Sequence, residues 1–281
     1  MTVQEALIEG QRILKKEGTD SPALDAALLL SQARHTSRER LYMDLAESLT
    51  PKQISCFHRS VRRRSSGEPV AWILGFKEFW GRNFVVGPGV LCPRPDSETL
   101  VEAALEIMDK SGDSGGTLHD CCCGPGTLAI SLACERPHWK LSGSDISVIA
   151  AGYFRQNNQR LCDGRVDFTK SDLMEGINGP FDIIISNPPY LTPTETNTRV
   201  NPGWKEPALA LNGGGEDGLD MIRRLVPRAA TRLVRMGSIL LEANPLQMSP
   251  IRQILSENNF IKMKLYKDMA GRERVIAGCK K

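Results

Sequence analysis

The sequence predicts an α/β protein in which a mostly parallel sheet ends in an antiparallel strand pair, with a small helical domain in front of it. Three observations carry this reading. After about residue 96, short apolar runs of strand length alternate with helical segments, and strands separated by helices pair in parallel. The last two runs, 260–267 and 272–279, are joined by only a few residues around Ala270-Gly271, which forces an antiparallel pair. Residues 1 to about 75 show apolar spacing of helical period and no strand-like alternation.

In chain order, Leu7, Ile8 and Leu14, then Ala26, Leu29 and Leu30, recur at helical spacing. Thr19-Asp20-Ser21-Pro22 is a helix start, polar caps followed by a proline in the first turn. Thr50-Pro51 repeats it before Ile54, Phe57, His58 and Val61. The stretch from 65 to 97 is rich in Gly, Pro and aromatics. Gly87-Pro88-Gly89 there reads as a turn between the apolar runs FVV and VLC, a hairpin-like connector. Asp96 or Ser97 then caps a helix with Leu100, Val101, Ala104, Leu105 and Met108 on one face. Strands are expected at 117–123, 140–146, 165–171, 181–186 and 238–243, with helices at 126–135 and about 147–160. The expected domains are therefore a helical one over 1–75, a connector over 76–95 and a sheet domain over 96–281.

Composition narrows the class without naming a reaction. Hydrophobic residues at 41% with 25% charged exclude a disordered tail or a disulfide mini-protein. A net charge of +3 gives no support to wholesale nucleic-acid binding. Eight cysteines include no Cys-x-x-Cys pair, so no zinc site is expected and the thiols read as free, in a cytosolic protein. The N-terminus carries acids where a signal peptide has its apolar core, and no run reaches a membrane span, so no membrane partner is expected.

Two places carry chemistry. The first strand runs into Asp120-Cys121-Cys122-Cys123-Gly124-Pro125-Gly126 and then a helix. Glycines at such a turn let backbone approach a ligand. Asp145, at the end of the second strand, can accept hydrogen bonds from both hydroxyls of a ribose. A nucleoside ligand and a purely structural turn both fit. The loop is not a phosphate-binding one, because no Gly-Lys-Ser/Thr follows. Adjacent strand residues point to opposite faces, so the three cysteines read as small core residues rather than metal ligands.

The second place is FDIIISNPPYL, which puts Asn187-Pro188-Pro189-Tyr190 at the carboxyl end of the fourth strand, the edge where open α/β sheets bind ligands. The Asn187 side-chain oxygen and the Pro188 carbonyl can accept the two hydrogens of a planar NH2 group. The prolines fix the backbone and contribute no competing N–H. Tyr190 offers a ring face to the planar group. Such a clamp catalyses by positioning and electrostatics and needs no strong base.

Together these features resemble the class I S-adenosylmethionine-dependent methyltransferases, whose seven-stranded Rossmann-like sheet ends in an antiparallel strand. The likeness narrows at Pro93-Arg94-Pro95-Asp96-Ser97-Glu98, at GEPVAWILGFKEFWG (67–81), at Lys205-Glu206-Pro207, at Gly213-Gly214 and Gly218-Leu219-Asp220, and at Gly271-x-x-Arg274-Val275. All are similar to segments of the peptide chain release factor glutamine methyltransferases, over nearly the full length. The resemblance implies N(5)-methylation of the glutamine in the Gly-Gly-Gln tip of bacterial release factors 1 and 2. S-adenosyl-L-methionine is the implied cofactor and S-adenosyl-L-homocysteine its product, with a monomer and no direct nucleic-acid partner expected. Cofactor contacts are implied for Asp120, Cys122, Cys123, Gly124, Pro125, Gly126 and Asp145, for Asp172 or Leu173 beside the adenine, and for Asn187. Asn187, Pro188, Pro189 and Tyr190 are the implied catalytic and substrate-binding set. Arg62-Arg63-Arg64 reads either as a contact for an acidic protein surface or as a solvated helix end.

Two positions depart from the family pattern. Cys122 stands where the loop has its first glycine, and Asn244-Pro245 follows Leu241-Glu242 where a glycine is usual. A positive φ is open to Asn244, although the proline after it disfavours helical ψ. The alternatives are an adenine-N(6) methyltransferase on DNA or RNA, a non-catalytic binder of release factors and, least compatible with NPPY, a nicotinamide dehydrogenase.

Overall fold

The computed structural model describes residues 1–110, 112–200 and 205–281. It forms two compact units, Met1–Phe76 with Arg199–Lys205, and Lys77–Thr198 with Glu206–Lys281.

The first unit holds five helices: α1 (Val3–Lys16), α2 (Pro22–Arg34), α3 (Arg38–Met43), α4 (Pro51–Ser65) and α5 (Val70–Leu74). Thr2 with Glu5, and Thr50 with Gln53, close capping boxes at the starts of α1 and α4. Ser21 makes no side-chain cap, so Pro22 alone marks the start of α2. Leu14, Leu29, Leu30, Leu41, Phe57 and Val61 fill the core. Gly10 lets α4 approach α1, since a Cβ there would lie 2.6 Å from the Phe57 ring. Ile8, expected on the apolar face, is exposed, and Ala6 and Gly10 are buried instead. Two arginines of the 62–64 run are spent inside the unit: Arg63 pairs with Glu68, and Arg64 Nε donates to the buried Asp25 at 2.6 Å.

The second unit opens with a hairpin, β1 (Phe76–Phe79) and β2 (Arg82–Val85). It turns at Trp80-Gly81, both at positive φ, and not at Gly87-Pro88-Gly89 as expected. Nor is 76–95 a separate connector, because Phe79 and Phe84 belong to this unit's core. A single 3-10 turn at Pro95–Ser97 leads into α6 (Glu98–Asp109) without a side-chain cap from Ser97, correcting the expected cap. Then follow β3 (Thr117–Cys121), α7 (Thr127–Glu135), β4 (Lys140–Asp145), α8 (Val148–Cys162), β5 (Asp167–Lys170), β6 (Phe181–Ser186) and α9 (Pro193–Val200). The chain closes with α10 (Asp220–Ala230), β7 (Leu233–Glu242), α11 (Met248–Glu257), β8 (Phe260–Lys267) and β9 (Glu273–Lys280).

The sheet has seven strands in the order β5-β4-β3-β6-β7-β9-β8. β9 runs antiparallel to both neighbours and the other pairs are parallel. Ile183 and Ile185 of β6 face one core with α6, α7 and α8, while Ile184 faces the other with α10 and α11. Burial on both faces is why this strand reads as an unbroken apolar run. The chain leaves β3 toward β4 on one side and returns to β6 on the other. That is a topological switch point, with its crevice at the carboxyl ends of β3 and β6.

Candidate functional site

A cavity of about 440 Å³ opens at this switch point. The turn after β3 supplies Cys122, Cys123, Gly124 and Pro125 to its wall, β4 supplies Asp145, the end of β5 supplies Asp172 and Leu173, and the end of β6 supplies Asn187 and Pro189. Cys121 pairs in register with Ser186, so the turn after β3 and the segment after β6 leave the sheet side by side.

The turn is held by carboxylates at both ends. Asp145 Oδ2 accepts the Gly124 N–H at 2.9 Å and its Oδ1 accepts the Ser147 N–H at 2.8 Å. Burial raises the titration of Asp145 above the usual carboxylate range, against those N–H bonds. Each oxygen keeps a lone pair beyond these bonds. Asp120 was expected to touch the cofactor, but it is fully buried and off the wall. Its Oδ2 accepts the Ala129 N–H at 3.2 Å, so it satisfies a donor in the first turn of α7 from below. Gly126 is also off the wall and starts α7 at φ 86°. Cys122 takes φ 63°, the left-handed backbone that glycine favours, so the substitution keeps the loop's shape with a side chain added. Alternation would put Cys121 and Cys123 on one face, but the strand ends at Cys121 and the left-handed turn at Cys122 swings the chain over, so Cys121 enters one core and Cys123 the other.

The wall fits a nucleoside carrying a methionine-like arm. Leu128, Ile149 and Leu173 line it with apolar surface. A Cβ on Gly124 would meet open space rather than protein. At the far end, Asp172 pairs with Arg224 at 2.5 Å, both on the wall. Among the described residues no group of three or more His, Cys, Asp or Glu is placed to hold a metal ion.

Asn187 lines the cavity, and its Nδ2 donates to Ser97 Oγ at 3.1 Å. Pro188 is buried behind the wall. Tyr190 is half-buried against the core on the α10 and α11 side, and burial pushes its phenol up to about 12. Of the four residues, Asn187 and Pro189 line the cavity, and Pro188 and Tyr190 flank them off its wall. Gln247 Nε2 donates to the Tyr190 carbonyl at 2.8 Å and to the Asp217 carbonyl at 2.7 Å, fixing the backbone after the prolines. Asn244 keeps a negative φ of −66° and, with Gln247, closes a capping box, so no glycine-like backbone is needed there.

Sequence reasoning singled out neither Ser97 nor Glu242 for the site. Glu242 ends β7 almost fully buried, and Ser97 and the Asn187 amide lie against its carboxylate. Arg274 Nη2 bridges Asp96 at 2.8 Å and Asp268 at 3.4 Å nearby. The signal was an acid closing the apolar run SILLE at the ligand-binding edge.

Residues 5–75 match the model of the PrmC N-terminal domain, and 88–216 that of the methyltransferase small domain. The chain is 35% identical to the release factor glutamine methyltransferase of Koribacter versatilis, covering 100% of this chain and 99% of that protein. The chain belongs to the release factor glutamine methyltransferase family. The family's protein from Neisseria gonorrhoeae is 36% identical, over 92% of this chain and 93% of its own. Among solved structures, a methyltransferase from Pyrococcus furiosus superposes with a TM-score of 0.55 at 17% identity, covering 78% of this chain and 98% of its own, a likeness of fold. The seven-stranded sheet described above is thus the class I methyltransferase sheet, and the family match extends through the helical unit in front of it. No helix among the described residues is long and apolar enough to cross a membrane.

Proposed function

We propose that the chain transfers a methyl group from S-adenosyl-L-methionine to the side-chain amide nitrogen of the glutamine in the Gly-Gly-Gln segment of peptide chain release factors 1 and 2. It does so as a cytoplasmic monomer, with residues 1–75 gripping the factor and 96–281 carrying the transfer. The observation that carries this reading is Asn187, an amide held from behind by Ser97 and set into the wall of a nucleoside-shaped cavity.

When bound, the cofactor supplies an electrophilic methyl carbon on a sulfonium. Asp145 uses its remaining lone pairs to hold the ribose hydroxyls. Either Asp172 or Leu173 borders the adenine. Asn187 Oδ1 and the Pro188 carbonyl accept the two hydrogens of the substrate amide, drawing its nitrogen lone pair out of conjugation and toward the donor, and one of these two protons is lost past the acceptor that holds it once the nitrogen carries the methyl group. The exposed part of Tyr190 packs on the amide plane. Wall apolarity keeps water out, so these hydrogen bonds act in a low dielectric.

The test offers labelled S-adenosyl-L-methionine with purified release factor, DNA or ribosomal RNA. Label in the factor supports the reading. Label only in nucleic acid would overturn it in favour of adenine as the amine held by the same clamp.

A further inference from the structure

We propose that Glu242 is a positioning residue for the transfer: acting through the Ser97 hydroxyl, it fixes the Asn187 amide with its oxygen toward the substrate. The proposal rests on the amide-methylation reading above. It begins with strand register. Ser186 of β6 pairs with Leu241 of β7, so the next residues, Asn187 just beyond β6 and Glu242 at the end of β7, are neighbours at the sheet's carboxyl edge. Ser97 completes the set, accepting from Asn187 Nδ2 at 3.1 Å. Having accepted that bond, the hydroxyl must place its one hydrogen on another acceptor. The Glu242 carboxylate lies against it and gains from the contact, and its Oε2 is buried with no hydrogen-bond partner.

An asparagine amide has two nearly isosteric ends, so shape alone does not choose which one faces the cavity. A carboxylate does. With Nδ2 toward Ser97 and Glu242, every hydrogen meets an acceptor. With the amide turned over, Oδ1 would face a carboxylate and the substrate would meet N–H donors it cannot use. Packing does not call for an acid here. Leu240, Leu241 and Ala243 beside it are fully buried, and a carboxyl in such a run costs solvation. Burial lifts Glu242 to about 7, with Ser97, Arg274 and Asn187 favouring the charged form and Asp96 opposing it. These groups, with Tyr190, are the polar neighbours facing it, from the 3-10 turn before α6, from β9 and from the segment after β6.

The experiment compares wild type, Glu242→Gln and Ser97→Ala in steady-state methylation of a release factor across pH 6 to 9. In Glu242→Gln, kcat is expected to fall roughly 10- to 100-fold, while KM for the factor and binding of S-adenosyl-L-homocysteine stay within about threefold. The acid limb of the wild-type kcat profile, near neutral pH, is expected to vanish. The melting temperature should not drop, and combining the two substitutions should cost no more than either alone. Unchanged kcat and pH profile in Glu242→Gln would overturn the proposal. So would a joint loss of kcat, KM, cofactor binding and melting temperature, the pattern of a structural residue. A second readout needs no substrate: the Asn187 side-chain NH2 resonances should shift with pH near neutrality in wild type and not in Glu242→Gln. If wild type methylates no release factor, the function reading fails and these resonances decide the proposal, pH-insensitive signals in wild type overturning it.

Discussion

Cys122 is the point at which sequence and backbone pull against each other, and the pull can be measured. Its φ is 63°, and no other non-glycine residue of the cofactor turn is left-handed. An L-residue with a Cβ costs about 1–2 kcal/mol there. Replacing it with glycine removes that cost but adds about 0.5–1 kcal/mol of unfolded-state freedom. Replacing it with alanine keeps the cost. Both substitutions lose the same sulfur, so the difference between them isolates the backbone. Cys122→Gly should therefore be the more stable of the two by about 0.5–1 kcal/mol, or roughly 2 °C in melting temperature for a chain of this size. At a negative φ the order reverses, because alanine is then favoured by a similar amount. Paired denaturant and thermal unfolding of the two variants without ligand reads the sign directly. Cys122→Ala equal to or above Cys122→Gly would refute the left-handed turn, and with it the claim that the loop keeps its family shape.

Other expectations follow from the same geometry. Asn187→Ala should reduce single-turnover transfer by at least about 10²-fold and leave calorimetric binding of S-adenosyl-L-homocysteine nearly unchanged, since it removes an acceptor felt mainly in the transition state. Gly218→Ala would press a Cβ against the Tyr190 carbonyl at a φ of 75°, so it should displace the clamp's backbone and cost roughly 10²-fold in kcat even where the protein remains folded. His119 is buried between Ser142 and Ser144, and desolvation lowers it from 6.5 to about 4. Ser144 donates to the Leu173 carbonyl, so Nε2 of His119 must carry the ring proton. Below pH 6.5 the unfolded chain binds a proton that the native state refuses, so the contribution of His119 to stability falls with pH down to about 4, by up to about 3 kcal/mol. Glu242, lifted by burial to about 7, shifts stability the other way over the same range in both proteins, so the loss is read as a difference: wild-type denaturant unfolding should lose about that much more stability between pH 6.5 and 4 than a His119→Gln variant does.

How much was legible in the sequence depended on whether the signal was local. FDIIIS reads as a doubly buried strand because each residue enters a packed face, and β6 spans the expected residues. The capping box at Thr50 is likewise local. The hairpin was misplaced because Gly87-Pro88-Gly89 carries turn chemistry, whereas the true turn puts Trp80, a residue with no preference for positive φ, at 51°. Helices α9, α10 and α11 went unread. α10 holds Pro227 in its interior, a residue that argues against a helix, and α11 follows directly on the short turn at Pro245–Gln247. The cofactor turn and Asn187 were visible as strand-end chemistry. Ser97 and Glu242 were not, because they meet Asn187 only through the pairing of β6 with β7 and the placement of the turn before α6.

The most direct measurement of the central claim is mass spectrometry of a release factor after incubation with the purified protein and S-adenosyl-L-methionine. The account predicts one added methyl group, located by fragmentation on the side-chain nitrogen of the glutamine in Gly-Gly-Gln and missing when Asn187→Ala replaces wild type. An unmodified glutamine, or a methyl group placed elsewhere on the factor, would contradict it.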